Sequence, residues 1–132
     1  MREDDGLNRL ASILEHNRRF VENREYEAYM TDRFPDKKMV VVTCMDTRLT
    51  ELLPRAMNLR NGDAKIIKNA GGIVTQPFGN IMRSILIALY EMKATEVFIV
   101  GHHECGMTGL DPEIVQRDQD AAHDVAERLR DD

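Results

Sequence analysis

The sequence predicts an α/β fold with a parallel β-sheet core flanked by helices. Three observations predict it. Short valine- and isoleucine-rich runs occur at about 39–43, 65–69 and 96–100. Stretches of helical apolar spacing separate them, and Gly, Asn or Pro marks each change of pattern. Strands that alternate with helices pair in parallel through right-handed crossovers. The 132 residues suit one domain, 1–132, with an N-terminal helical arm over about 7–30 and a closing helix over about 119–130.

The elements follow in order. From Leu7 to Tyr29 the apolar positions Leu7, Leu10, Leu14 and Val21 recur at near-helical spacing, with Ile13 and Phe20 beside them. This amphipathic helix breaks near Asn23, and Phe34-Pro35-Asp36 ends the segment in a turn. Met39 to Thr43 is a buried strand. Leu49 to Met57 reads as a helix. Pro54 lies too far inside it for a first-turn proline, so that helix is short or kinked. Asn61-Gly62-Asp63 is a turn, Lys65 to Asn69 a second strand, and Gly71-Gly72 a break. Asn80 to Met92 is an apolar helix with Ile81, Ile85, Leu89 and Met92 on one face. Glu96 to Val100 is the third strand, stopped by Gly101. Thr108 to Arg117 reads as loop, and Gln119 to Arg130 as a helix with Ala122, Val125, Ala126 and Leu129 at helical spacing.

Composition excludes several classes. Apolar residues make up 42% and charged residues 31%, the balance of a soluble globular chain. The longest apolar run, Ile85 to Leu89, is too short for a bilayer. The acidic start MREDDG has no apolar stretch behind it, which argues against a signal peptide and for a cytoplasmic protein. The net charge of −5 is local, because the segment from Asp111 onward holds eight acids and three bases. That segment reads as a solvated helix face. No basic stripe and few aromatics are present, so nucleic-acid binding has no support.

The chemistry gathers at strand ends. In open α/β sheets the ligand site lies beyond the carboxyl ends of the strands. The first strand runs into Cys44-Met45-Asp46-Thr47-Arg48, and the third into Gly101-His102-His103-Glu104-Cys105-Gly106. Both cysteines of the chain therefore sit where such a site would form. Two thiolates and an imidazole, Cys44, Cys105 and His102, favour zinc over magnesium or calcium. Three protein ligands with an open position are the pattern of a catalytic zinc. The same residues also read as two buried free thiols beside a packed histidine, and Asp46 with Arg48 as a surface ion pair. Ala70-Gly71-Gly72 either presents backbone N–H groups to an anion such as bicarbonate or makes a turn that needs positive φ. Gln76, Pro77 and Phe78 are candidates for the approach to the site. His16 and His123 read as surface residues, and the eight methionines as core filler.

Cys-Met-Asp-Thr-Arg at 44–48 with Gly-His-His-Glu-Cys-Gly at 101–106 resembles the β-class carbonic anhydrase family, marked by C-x-D-x-R and H-x-x-C on a parallel α/β sheet. Lys68 to Val74, KNAGGIV, is similar to the family's segment after its second strand. The resemblance covers roughly 40–110. It implies zinc held by Cys44, His102 and Cys105, with His103 the rival histidine, and a catalytic dyad of Asp46 and Arg48. It further implies a closed form in which Asp46 becomes a fourth zinc ligand, and an open form in which Asp46 turns to Arg48. Gly71 is the candidate for binding substrate.

The implied reaction is reversible hydration of carbon dioxide to bicarbonate and a proton, with hydroxide on the zinc as nucleophile. The implied assembly is a homodimer or higher homo-oligomer with no membrane or nucleic-acid partner. Family chains continue past the second motif to at least one further strand, and no fourth strand is read here. The plant-type branch places a glutamine and a tyrosine near where Pro35 and Ile87 stand. Three other readings remain. One is a hydrolase of carbonyl sulfide or carbon disulfide on the same scaffold. Another is a non-catalytic zinc-binding module closed by Asp46. The third is a metal-free redox thiol pair of Cys44 and Cys105.

Overall fold

A computed structural model of the chain describes residues 3–106 together with residues 113, 116–118, 120, 121 and 128. The element order is α1 (Glu3–Glu22), a 3-10 turn (Glu25–Tyr29), β1 (Met39–Cys44), a 3-10 turn (Thr47–Leu49), α2 (Leu52–Ala56), β2 (Ala64–Asn69), α3 (Asn80–Tyr90) and β3 (Glu96–Val100). The three strands form one parallel sheet in the order β2-β1-β3. The architecture is the expected α/β one, and each strand lies within one residue of its expected bounds.

β1 is the central strand, and its sequence explains why. Val40, Val41, Val42 and Thr43 are all buried, because both edges are paired and both faces covered. Such a strand reads as a continuous β-branched run, not as an alternation. Val40 and Val42 face α3 and join Ile85, Ala88 and Ala94 in one apolar cluster, with Ile67, Val74, Ile81 and Leu89 packed against it. Burying each valine or isoleucine side chain contributes about 1.5–3 kcal/mol. On the opposite face Val41 and Thr43 line a small apolar cavity with Leu49, Leu53, Pro54 and Met57, from the segment that includes α2. The one buried polar side chain on β1, Thr43, donates its hydroxyl to the Val100 carbonyl at 3.1 Å. That bond ties the ends of β1 and β3 together beside the site.

The flanking elements depart from expectation in instructive ways. α1 begins at Glu3, before the first leucine, and ends where Arg24 adopts the left-handed region with φ 56°. Its break falls where the sequence placed it. Its stripe, however, stays uncovered among the described residues, with Leu7, Leu10, Ile13 and Leu14 all exposed. The 49–57 segment is a 3-10 turn followed by a five-residue helix. Pro54 is thus a first-turn proline after all, at a position whose N–H no helical bond requires. α3 stops at Tyr90, short of Met92, before Lys93 at φ 62°.

The loop expected over 108–117 is corrected at Glu113, Gln116 and Arg117, which are helical. Of the helix expected over 119–130, Asp120, Ala121 and Arg128 are described and helical, and the rest lies outside the described residues. β3 is an edge strand whose Val97, Phe98 and Ile99 remain exposed among the described residues. No helix among the described residues is long and apolar enough to cross a membrane.

Candidate metal centre

The register of the sheet assembles the site. Cys44 pairs with Asn69 at the end of β2, and Thr43 pairs with Val100 at the end of β3. The loop after β3 therefore begins level with the last turn of β1. It brings His102 and Cys105 to Cys44, and donor atoms of the three side chains lie within 4.8 Å of one another. Cys44 is buried, while His102 and Cys105 are half-buried.

This donor set fits a zinc ion on two observations. The sulfurs of Cys44 and Cys105 stand 3.7 Å apart. Two thiolates each ~2.3 Å from one tetrahedral ion would stand ~3.8 Å apart. The second observation is the His102 ring. Its Nδ1 lies 3.0 Å from the His103 carbonyl oxygen, so Nδ1 carries the proton and donates. Nε2 is buried and has no hydrogen-bond partner. A buried ring nitrogen without a partner is costly unless something binds it. A main-chain carbonyl on the other nitrogen is the arrangement that orients metal-binding imidazoles.

The electrostatics favour anions here. The Cys44 thiol is lowered to about 7. The largest cause is the neighbouring His102 side chain. Burial opposes it, and the backbone N–H groups of Gly71 and Asp46 add to the lowering. A metal ion at the three donors would hold the same group as thiolate. In chelated protein, iodoacetamide is therefore expected to modify Cys44 at a rate that rises with pH and is half-maximal near pH 7. Metal-loaded protein should protect both thiols. Equal thiol counts with and without chelator would sink the metal reading and favour a plain thiol pair.

Asp46 stands outside the three-donor group. Arg48 holds its carboxylate by a fork, Nε to Oδ1 at 3.0 Å and Nη2 to Oδ2 at 2.7 Å, and the Arg48 backbone N–H adds a bond to Oδ1 at 2.9 Å. These bonds keep the Asp46 carboxyl well below the usual carboxylate range, and the pair raises Arg48 in turn. The Asp46 Oδ2 still lies 3.9 Å from His102 Nε2. The carboxylate is thus at the edge of the site, turned toward the arginine.

The site opens into a cleft of about 490 Å³ lined by Cys44, Met45, Asp46, Thr47, Arg48, Ala70, Cys105 and Gly106. Gln76 borders a separate small cleft, and Phe78 is 98% exposed, so neither forms this wall. A larger cleft of about 840 Å³, between Tyr29 and the Arg55–Asn61 segment, includes none of the three donors. His16 lies exposed on α1, its ring tilted against Phe20 with centroids 6.4 Å apart, and His123 is outside the described residues.

Two glycines secure the wall at β2. Gly71 and Gly72 have φ of 86° and 65°. Gly71 faces its N–H toward the Cys44 sulfur. A Cβ on Gly72 would lie 2.8 Å from both the Cys44 nitrogen and the Thr43 carbonyl carbon. Asn69 pins the same turn, donating to the Ile73 carbonyl at 2.6 Å and accepting from its N–H at 3.1 Å. Sequence reasoning missed Asn69 and Glu104. The main-chain carbonyl of Glu104 accepts from Arg48 Nη2 at 2.8 Å, and no side-chain pattern signals a carbonyl.

Comparison with known proteins agrees with this geometry. A family model described as carbonic anhydrase matches residues 39–131. YvdA of Bacillus subtilis, named as a candidate carbonic anhydrase, is 71% identical over 101 residues, 76% of this chain and 51% of that protein. A carbon disulfide hydrolase of Saccharolobus solfataricus is 35% identical over 72 residues, 54% of this chain and 33% of that protein. The crystal structure of β-carbonic anhydrase isoform I from Trichomonas vaginalis matches with a TM-score of 0.70 at 31% identity, covering 93% of this chain and 64% of that one. The chain spans about half the length of YvdA and of other curated relatives that it matches. The matched span holds the whole sheet and all three donor residues, and the chain belongs to the β-carbonic anhydrase family.

Proposed function

We propose that the chain carries the site for reversible hydration of carbon dioxide to bicarbonate and a proton, with zinc held by Cys44, His102 and Cys105. The observation that carries this reading is the pairing of three convergent soft donors with a carboxylate that Arg48 keeps ionised at their edge. Zinc, when bound, would supply the Lewis acidity that makes water a nucleophile near neutral pH. The chain's own residues do the rest. Asp46 accepts a hydrogen bond from water at the site and directs the oxygen lone pair at the substrate carbon. Arg48 keeps Asp46 charged and away from the donor set through its planar fork, which a lysine would lack. Gly71 is proposed to present its N–H toward the product anion, and the same group already faces the Cys44 sulfur. The proton then passes to buffer.

The free thiols suit a reducing, cytoplasmic setting. The stripe of α1 and the β3 edge, both uncovered among the described residues, suit a homo-oligomer. We take 1–132 as one functional domain.

A second reading, hydrolysis of carbon disulfide or carbonyl sulfide, is favoured by the carbon disulfide hydrolase relative. It would use the same donors and differ in access through the cleft. The test is zinc content per chain together with stopped-flow turnover of each substrate across a pH series. One zinc and carbon dioxide hydration that rises with pH is the expected result. One zinc with turnover of carbon disulfide alone would replace the first reading by the second. One zinc without turnover of any substrate would leave a binding module.

A further inference from the structure

We propose that Glu104 is a positioning residue of this centre: its left-handed backbone turns the main-chain carbonyl onto Arg48, and that contact straps the loop carrying His102 and Cys105 to the end of β1. The inference rests on reading Cys44, His102 and Cys105 as a metal site.

Glu104 lies between the two loop donors with φ 54°, a region that residues with a Cβ seldom occupy unless their surroundings demand it. Its carbonyl accepts from Arg48 Nη2 at 2.8 Å. The same nitrogen donates to Asp46 Oδ2 at 2.7 Å. One guanidinium therefore fixes both the carboxylate and the loop. The strap matters because, among the described residues, little else restrains this loop. It is delivered by an exposed edge strand, and a Cβ at Gly101 or Gly106 would meet nothing within 4 Å. Without the strap, His102 and Cys105 would sample positions away from Cys44, and a bound ion would leave faster.

The test is the rate of zinc release to a competing chelator from the loaded protein. Glu104→Gly keeps the left-handed backbone and should release within about twofold of the parent. Glu104→Val resists positive φ, shifts the carbonyl and should release about tenfold faster. Arg48→Ala should do the same in an Asp46→Asn background, where no freed carboxylate can bind the ion. In that background, Glu104→Val with Arg48→Ala should release no faster than Arg48→Ala, since both changes remove one contact.

Parental release from Glu104→Val, or multiplying effects when it is combined with Arg48→Ala, would overturn the strap. Should Glu104→Val fail to fold, Asp46→Asn provides the control. It removes the carboxylate's charge but not the Arg48 nitrogen that donates to the Glu104 carbonyl, and it should hold zinc as the parent does. Equal release from Asp46→Asn with and without Arg48→Ala would then overturn the proposal. A parent chain that takes up no zinc would instead refute the metal reading. The strap would in that case be read from amide exchange over 101–106, which should be faster in Arg48→Ala than in Asp46→Asn.

Discussion

Asp46→Asn is expected to lower turnover by about two to four orders of magnitude while the chain keeps its zinc. The side chain keeps its size, so the change is one of charge and hydrogen bonding. The carboxylate accepts three hydrogen bonds from Arg48. An amide has one acceptor oxygen, and its NH₂ group would face a donor. Water at the site loses its oriented acceptor. The three-donor group does not include Asp46, so metal content should stand. Zinc analysis and stopped-flow hydration on the same sample check both halves. Loss of zinc with loss of turnover would place Asp46 among the resting ligands.

The pH behaviour follows from the same pair. The Asp46 carboxyl is depressed by Arg48's hydrogen bonds, first from the guanidinium and then from the backbone N–H. A depressed carboxyl contributes stability that is fully present above its unfolded value, about 3.9, and is lost as pH falls toward the folded value. Asp46 therefore stays ionised throughout the range where turnover is measured. Any acid limb of the rate profile near neutrality reports another group.

Gly72→Ala is expected to destabilise the protein by about 2–4 kcal/mol, through overpacking and left-handed strain together. The added Cβ would meet β1 backbone at Cys44 and Thr43, each atom at 2.8 Å. These are main-chain atoms of the central strand, held in ladders on both sides, so they have no easy way to give. The backbone also sits at φ 65°, where an L side chain is strained. Chemical denaturation of the variant and its parent measures the loss. A change below about 0.5 kcal/mol would mean that the turn after β2 relaxes freely. Gly6→Ala is the matched control, since a Cβ there meets nothing within 4 Å.

Much of the fold was legible because its central strand is unusually pure. Met39 to Thr43 is apolar and β-branched on both faces, so its burial in the centre could be read directly. The donor residues were legible because cysteine and histidine are scarce, and both motifs fall at strand ends. What stayed hidden was backbone geometry. Glu104's left-handed carbonyl, the clamp by Asn69 and the first-turn place of Pro54 depend on where a turn begins, and side-chain type marks that weakly. Glu113 and Gln116 to Asp118 are themselves polar, and Asp111-Pro112 before them is a turn signal, so the sequence points to a loop there although Ile114 and Val115 stand at helical spacing from Ala122.

The strand that comes first in the chain is the one in the middle of the sheet, and this has a consequence for synthesis. β1 leaves the ribosome with both edges bare. β2 can cover one edge, and the other waits for β3. The two thiols that close the donor set are 61 residues apart in sequence. A nascent chain therefore cannot complete this donor set before the second edge of β1 can close. Metal capture would then act as a late lock on a sheet built from non-local contacts, a topology that folds slowly and exposes strand edges on the way.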